Sequence, residues 1–273
     1  MKNRISTAEP TNWESSQQKV EAVLAKTLED NTVYNENLTE KYQHEWRLGN
    51  PHQFMAYTTW LEEIGDIQGK EVLDLASGAG DSSRMLAEQG AKVVGVEISE
   101  HMFNNAKSQD NVSYILADAS IPKQYWERPF DKVVAAFFLN YASSLEKLEG
   151  MLKNVALNLQ PNEQFVTITI SPEHPIVESG KHISHSTQRK GEPFVDWAEI
   201  HATLRTKEGE KICDFDSYYR TKQTYEKLLQ ENGFRDIQWI ELRMYDEWKK
   251  LENWEDIEKK NMLVIIKATK DTI

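Results

Sequence analysis

Val72-Leu73-Asp74-Leu75-Ala76-Ser77-Gly78-Ala79-Gly80 is a short apolar run that ends in a glycine-rich turn. Gly69 stands before it, and residues 81–89 after it carry a helical pattern that Gly90 stops. The order is strand, turn, helix. Glycine in such a turn takes positive φ and lets the backbone approach a ligand closely. The helix start adds free N–H donors. In an open α/β sheet, ligands bind at this place, the carboxyl ends of the strands.

The same alternation continues outward. Lys92-Val93-Val94-Gly95-Val96 reads as a second strand, and Ser99 as the cap of a helix to about residue 108. Residues 112–116 and 131–138 are the third and fourth strands. A helix over 145–159 places Leu145, Leu148, Leu152, Val155 and Leu159 at helical spacing, and 165–170 is a fifth strand. Strands alternating with helices predict an α/β fold with a mostly parallel sheet. The alternation stops at Pro172, and 172–196 has no clear period. Residues 197–205 and 211–219 then read as a hairpin around Thr206-Lys207-Glu208-Gly209. A helix over 224–232, stopped by Gly233, and strands over 237–244 and 262–268 complete the chain.

Before the first strand, 12–31 sets Val20, Val23, Leu24 and Leu28 on one helical face, a polar-aromatic stretch covers 34–46, and 52–64 is helical again. The expected organisation is a helical cap over 1–64, an α/β core from 65–171 and 221–273, and an insertion over 172–220 that contributes to a substrate pocket.

The acids narrow the ligand. A dinucleotide site wants a third glycine where Ser83 stands. Asp74, inside the turn, would repel a pyrophosphate and attract an ammonium, so an amino-acid zwitterion suits the turn better. Glu97 ends the second strand, where a carboxylate accepts from both ribose hydroxyls. Asp118, after the third strand, can accept from the exocyclic amine of adenine. Each acid alone could merely cap a helix; together they match three parts of one ligand.

Composition excludes several classes. The formal net charge of −12 argues against phosphate-backbone binding and against an anionic membrane surface. Cys213 is the only cysteine, which leaves no intramolecular disulfide and no cysteine zinc site; it is expected to act as a small buried hydrophobe. No stretch approaches the roughly 20 apolar residues of a membrane span, and 1–10 lacks the apolar run of a signal peptide. The expectation is a cytoplasmic monomer or homodimer without a metal site.

The segments Val72 to Gly80, Val94-Gly95-Val96-Glu97-Ile98-Ser99 and Leu116-Ala117-Asp118-Ala119 resemble the class I S-adenosylmethionine-dependent methyltransferases. The run from Phe130 to Ala142, with Phe165-Val166-Thr167-Ile168, is similar to a bacterial small-molecule branch that includes toxoflavin-type N-methyltransferases. This resemblance implies a Rossmann-like, seven-stranded sheet with the last strand antiparallel. It implies S-adenosylmethionine as methyl donor, leaving S-adenosylhomocysteine. The implied cofactor positions are Asp74, Gly78, Gly80, Glu97 and Asp118, with Ala76, Ser77 and Ala119 beside them. Ile98 and Met102 would pack on adenine, and Tyr42 would close over the cofactor from the cap, as would Tyr34, Trp46 or Tyr57. Pro161-Asn162-Glu163 stands where the family turn is usually Pro-Gly-Gly.

Phe138, Asn140 and Tyr141 follow the fourth strand and are candidates to touch substrate. His174, four residues beyond Ile170, is the first choice among His174, His182 and His185 for a base or substrate ligand, and Tyr141 is the second catalytic candidate. The implied activity is methyl transfer to nitrogen or oxygen of a small aromatic or heterocyclic metabolite. A non-catalytic S-adenosylmethionine-binding regulator and a methyltransferase acting on a protein or peptide remain open beside it.

Overall fold

The computed structural model describes residues 51–106, 110–173, 185–189, 195–205, 211–243 and 262–272. The expected helices over 12–46 lie outside these residues. Helix α1 (Pro51–Ile64) leads into the main sheet, built from β1 (Glu71–Leu75), β2 (Lys92–Glu97), β3 (Val112–Leu116), β4 (Phe130–Ala136) and β5 (Leu159–Ile170). Helices α2 (Asp81–Glu88), α3 (Glu100–Asn105) and α4 (Leu145–Asn158) lie between them in the chain. Strands β6 (His185–Arg189), β7 (Glu199–Arg205) and β8 (Lys211–Tyr218) form a separate antiparallel sheet. Helix α5 (Lys222–Glu231), β9 (Phe234–Glu241) and β10 (Leu263–Lys270) return the chain to the first sheet.

That sheet has seven strands in the order β3-β2-β1-β4-β5-β10-β9. The strands from β3 to β5 pair in parallel, and β10 runs antiparallel between β5 and β9. The central strands are buried on both faces, which is why they read as continuous apolar runs. Val72, Val134 and Val166 join one cluster with Trp60 and Leu86. Leu73, Leu75, Val133 and Phe165 join the other with Leu148, Leu152 and Leu229. Chain order reverses between β1 and β4, so the crevice opens above the carboxyl ends of those two strands.

Several expectations change. Strand β5 starts at Leu159 and contains Pro161-Asn162-Glu163, expected as a separate surface turn. Pairing steps from Phe130–Leu159 to Lys132–Gln164, so the extra residues bulge out, with Asn162 at φ 62°. The fourth strand ends at Ala136, because Phe137 turns to φ 61°. Helix α3 ends at Asn105. Leu145, placed in the apolar stripe by its spacing, is 48% exposed in the first turn of α4. Residues 172–196, read as aperiodic, contain β6. Among the described residues no helix is long and apolar enough to cross a membrane.

A candidate site at the strand ends

The turn after β1 sets Ala76, Gly78 and Gly80 at φ 58°, 56° and 85°. Gly80 has no alternative, since a Cβ there would stand 2.1 Å from Tyr114 Oη. Ala76 and Phe137 are non-glycine residues held in the left-handed region, at a cost of about 1–3 kcal/mol each. Both follow strand ends, and both line one cavity of about 560 Å³.

Its floor comes from the main sheet. Ala76, Ser77 and Gly78 follow β1; Glu97, Ile98 and Met102 follow β2; Ala117, Asp118 and Ala119 follow β3. Glu97 Oε2 accepts from the Gly78 N–H and Oε1 from the Ser99 N–H, each at 2.8 Å. Burial pushes its carboxyl up, and these backbone donors oppose the push. Asp118 Oδ1 accepts from the Ser120 N–H at 2.8 Å. Ser77 Oγ is buried and has no hydrogen-bond partner.

The opposite wall comes from three places. Phe137, Phe138 and Tyr141 follow β4, Lys147 and Met151 lie on α4, and Tyr57 reaches in from α1. Burial, with Asp74 and Asp81 nearby, pushes the Tyr57 phenol well above its ordinary value, so it stays a neutral donor. The remaining side is the hairpin, with His201 from β7 and Asp214, Phe215, Asp216 and Tyr218 from β8. His201 Nδ1 and Asp216 Oδ1 are 2.7 Å apart.

The structure therefore gathers Ala76, Ser77, Gly78, Glu97, Ile98, Met102, Asp118, Ala119, Phe138 and Tyr141 around one space. Three expected residues are not on its wall. Gly80 closes the turn as the residue before α2, off the cavity wall. Asn140 is buried in the 3-10 turn Leu139–Tyr141, its Oδ1 without a partner. Asp74 lies wholly buried beneath the turn, where its Oδ2 accepts from Ser82 Oγ at 2.6 Å and Ser83 Oγ at 2.7 Å. Its Oδ1 is buried without a hydrogen-bond partner. Tyr42, His174 and His182 lie outside the described residues, as do Tyr34, Trp46 and the side chains of His185 and Cys213. The hairpin residues were not singled out from the sequence. Their signal is the alternation of Glu199-Ile200-His201-Ala202-Thr203, which buries Ile200 and Ala202 and turns His201 to the other face.

Residues 72–162 match the family model described as a methyltransferase domain. A demethylmenaquinone methyltransferase of Tropheryma whipplei (strain Twist) is 32% identical over 116 residues, covering 41% of this chain and 46% of that protein. The match thus spans about half the length of that relative. An uncharacterized protein of Haemophilus influenzae is 26% identical over 254 residues, covering 88% of this chain and 97% of its own. Among solved structures, the CcbJ methyltransferase of Streptomyces caelestis superposes with a TM-score of 0.62 at 16% identity, covering 89% of this chain and 99% of that one. This last likeness is one of fold.

Proposed function

We propose that this chain, which belongs to the class I S-adenosylmethionine-dependent methyltransferase superfamily, transfers a methyl group to nitrogen or oxygen of a small aromatic or heterocyclic metabolite. Its cofactor is S-adenosylmethionine, whose sulfonium supplies an electrophilic methyl group. The protein's part is to hold an acceptor in line with it and to keep water out.

The observation that carries the reading is that successive strand ends present acids and an apolar strip to one cavity. Glu97 is oriented by two backbone N–H groups and, with about four acceptor sites on a carboxylate, has capacity left for a ribose diol. Asp118 can accept from the adenine amine, while Ile98, Met102, Ala117 and Ala119 cover the ring. Ala76, Ser77 and Gly78 border the space left for the methionine end. A pyrophosphate in the same place would face Asp81 in the first turn of α2 and Asp74 below it, so a dinucleotide does not fit. The described residues of 65–171 and 221–272 then hold the cofactor, the hairpin of β7 and β8 borders the acceptor, and residues 1–50 of the expected cap lie outside the described residues. A relative named for demethylmenaquinone supports an aromatic acceptor class.

Calorimetry and label transfer test this together. The chain should bind S-adenosylmethionine and not a dinucleotide. It should pass radiolabelled methyl into the low-mass fraction of a cell lysate. Dinucleotide binding with none to S-adenosylmethionine overturns the reading. Cofactor binding with no label transferred makes the chain a regulator, and label confined to the protease-sensitive macromolecular fraction makes its acceptor a protein.

A further inference from the structure

Strand β8 sets Asp216 directly opposite His201 of β7. His201 Nδ1 lies 2.7 Å from Asp216 Oδ1, a hydrogen bond, whereas Nε2 is 3.8 Å from Asp214 Oδ1, too long for one. An ionised carboxylate only accepts, so Nδ1 carries the proton and the neutral imidazole keeps its lone pair on Nε2. Asp214 is held separately, by Thr203 Oγ1 at 2.8 Å and by Lys211. Phe215 of the same strand packs on Tyr141, their rings 6.2 Å apart, which ties the hairpin to the segment after β4. The main sheet thus gives the cavity its floor, and the hairpin gives it an oriented base.

We propose that His201 is the general base of the transfer and Asp216 its positioning residue, so that the acceptor arrives with a proton on its reacting nitrogen or oxygen. This rests on the functional reading above. As the acceptor's electron pair bonds to the methyl carbon, its N–H or O–H proton passes to His201 Nε2, and the pair of the broken carbon–sulfur bond stays on sulfur as a thioether. The positive charge lost at sulfur reappears on the imidazolium, flanked by Asp214 and Asp216, which stabilise it where it forms. Solvent then takes the proton. The other titratable groups lining this cavity are Tyr57, Asp81, Glu97, Asp118, Tyr141, Lys147 and Tyr218.

The test uses the full chain, with the low-mass lysate fraction as the source of acceptor. His201→Gln should bind S-adenosylmethionine within about twofold of wild type by calorimetry, yet transfer label about 100-fold more slowly at neutral pH. Its rate should climb with pH where wild type levels off. Asp216→Asn should bind S-adenosylmethionine within about twofold of wild type and transfer label about tenfold more slowly, a loss in kcat rather than KM, and Asp216→Glu should recover part of that rate. A His201→Gln rate and pH profile equal to wild type overturns the proposal while leaving the transferase reading intact. An Asp216→Asn rate equal to wild type, or a loss carried in KM alone, overturns the positioning role. Wild type that binds no S-adenosylmethionine sinks both readings.

Discussion

Asp74 carries its carboxylate under the glycine turn with two serine hydroxyls for company and no cation. Burial pushes its pKa from the ordinary 3.8 to about 6; Ser82 and Ser83 oppose the push and Glu97 adds to it. The folded value lies above the unfolded one. The group's contribution to stability is therefore fully present below about pH 4 and is lost as pH rises through 6. The difference corresponds to about 3 kcal/mol at neutral pH. A cationic ligand above the turn favours the ionised form and recovers part of that loss. Two outcomes are expected. In urea denaturation without cofactor, wild type should lose about 3 kcal/mol more than Asp74→Asn between pH 4 and 7. By calorimetry, wild-type affinity for S-adenosylmethionine should rise between pH 5 and 7, while Asp74→Asn should show a shallower rise, left by the raised carboxyl of Glu97. A flat wild-type profile would separate Asp74 from binding altogether. The residue type was legible in the sequence because a carboxylate in that turn contradicts a phosphate. Its depth was not, because burial by Ser82 and Ser83 depends on how α2 seats on β1.

Among the elements, α4 shows how the β3 side of the cavity is held. Its apolar stripe, Leu148, Leu152 and Val155, packs on the sheet, while two buried amides reach the loop after β3. Asn154 Nδ2 donates to the Ala119 carbonyl at 2.8 Å and to Tyr125 Oη at 3.1 Å, and its Oδ1 accepts from the Lys123 N–H at 3.2 Å. Asn158 accepts from the Tyr125 N–H at 2.9 Å and donates to the Lys123 carbonyl at 2.7 Å. Gly150 permits the approach, since a Cβ there would meet the Ser120 carbonyl at 2.1 Å. Asn154→Ala leaves those backbone groups buried and unpaired, so it should cost about 2–3 kcal/mol in chemical denaturation. It should also weaken S-adenosylmethionine binding, because Asp118 and Ala119 lead into the loosened loop. Unchanged binding at reduced stability would show that the loop is held elsewhere. Periodicity made α4 and its sheet-facing stripe readable, and Ser99 was readable as a cap that accepts from the Met102 N–H. The amides were not readable. A side chain satisfying a backbone some 30 residues away leaves no local pattern, and tertiary contact overrides spacing at Leu145 too.

At the scale of the whole molecule, the parallel core follows the alternation of the chain and the hairpin wall of the cavity does not. Reading along the sequence leads to His174, which follows a strand end; His201 is found only by pairing across the hairpin. Arg205 pairs with Lys211, a register that would carry His201 opposite Phe215; the irregularity at Leu204/Arg205 moves it one residue on, to Asp216, with Asp214 on the same face. Alternation puts either acid on the same face, so the His–Asp pairing was half legible, whereas its place over the main sheet was not. The junction at residue 64 is similar. Chain order makes α1 look like the end of a cap, but Met55, Ala56, Trp60 and Ile64 belong to the same buried cluster as Val72 and Val166. Trp60 Nε1 donates to the Val166 carbonyl at 3.1 Å, and Glu63 of α1 pairs with Arg243 and Lys267 at the far side of the sheet. Trp60→Phe should keep most of the packing and lose one hydrogen bond, about 1 kcal/mol. Trp60→Ala should cost about 3–5 kcal/mol, measured by urea denaturation with one transition. A chain begun at Gly65 should then fail to fold, because it would expose that face of the sheet. If it folds with near-native stability, α1 is an appendage, and Tyr57 would have to reach the cavity wall from outside the core.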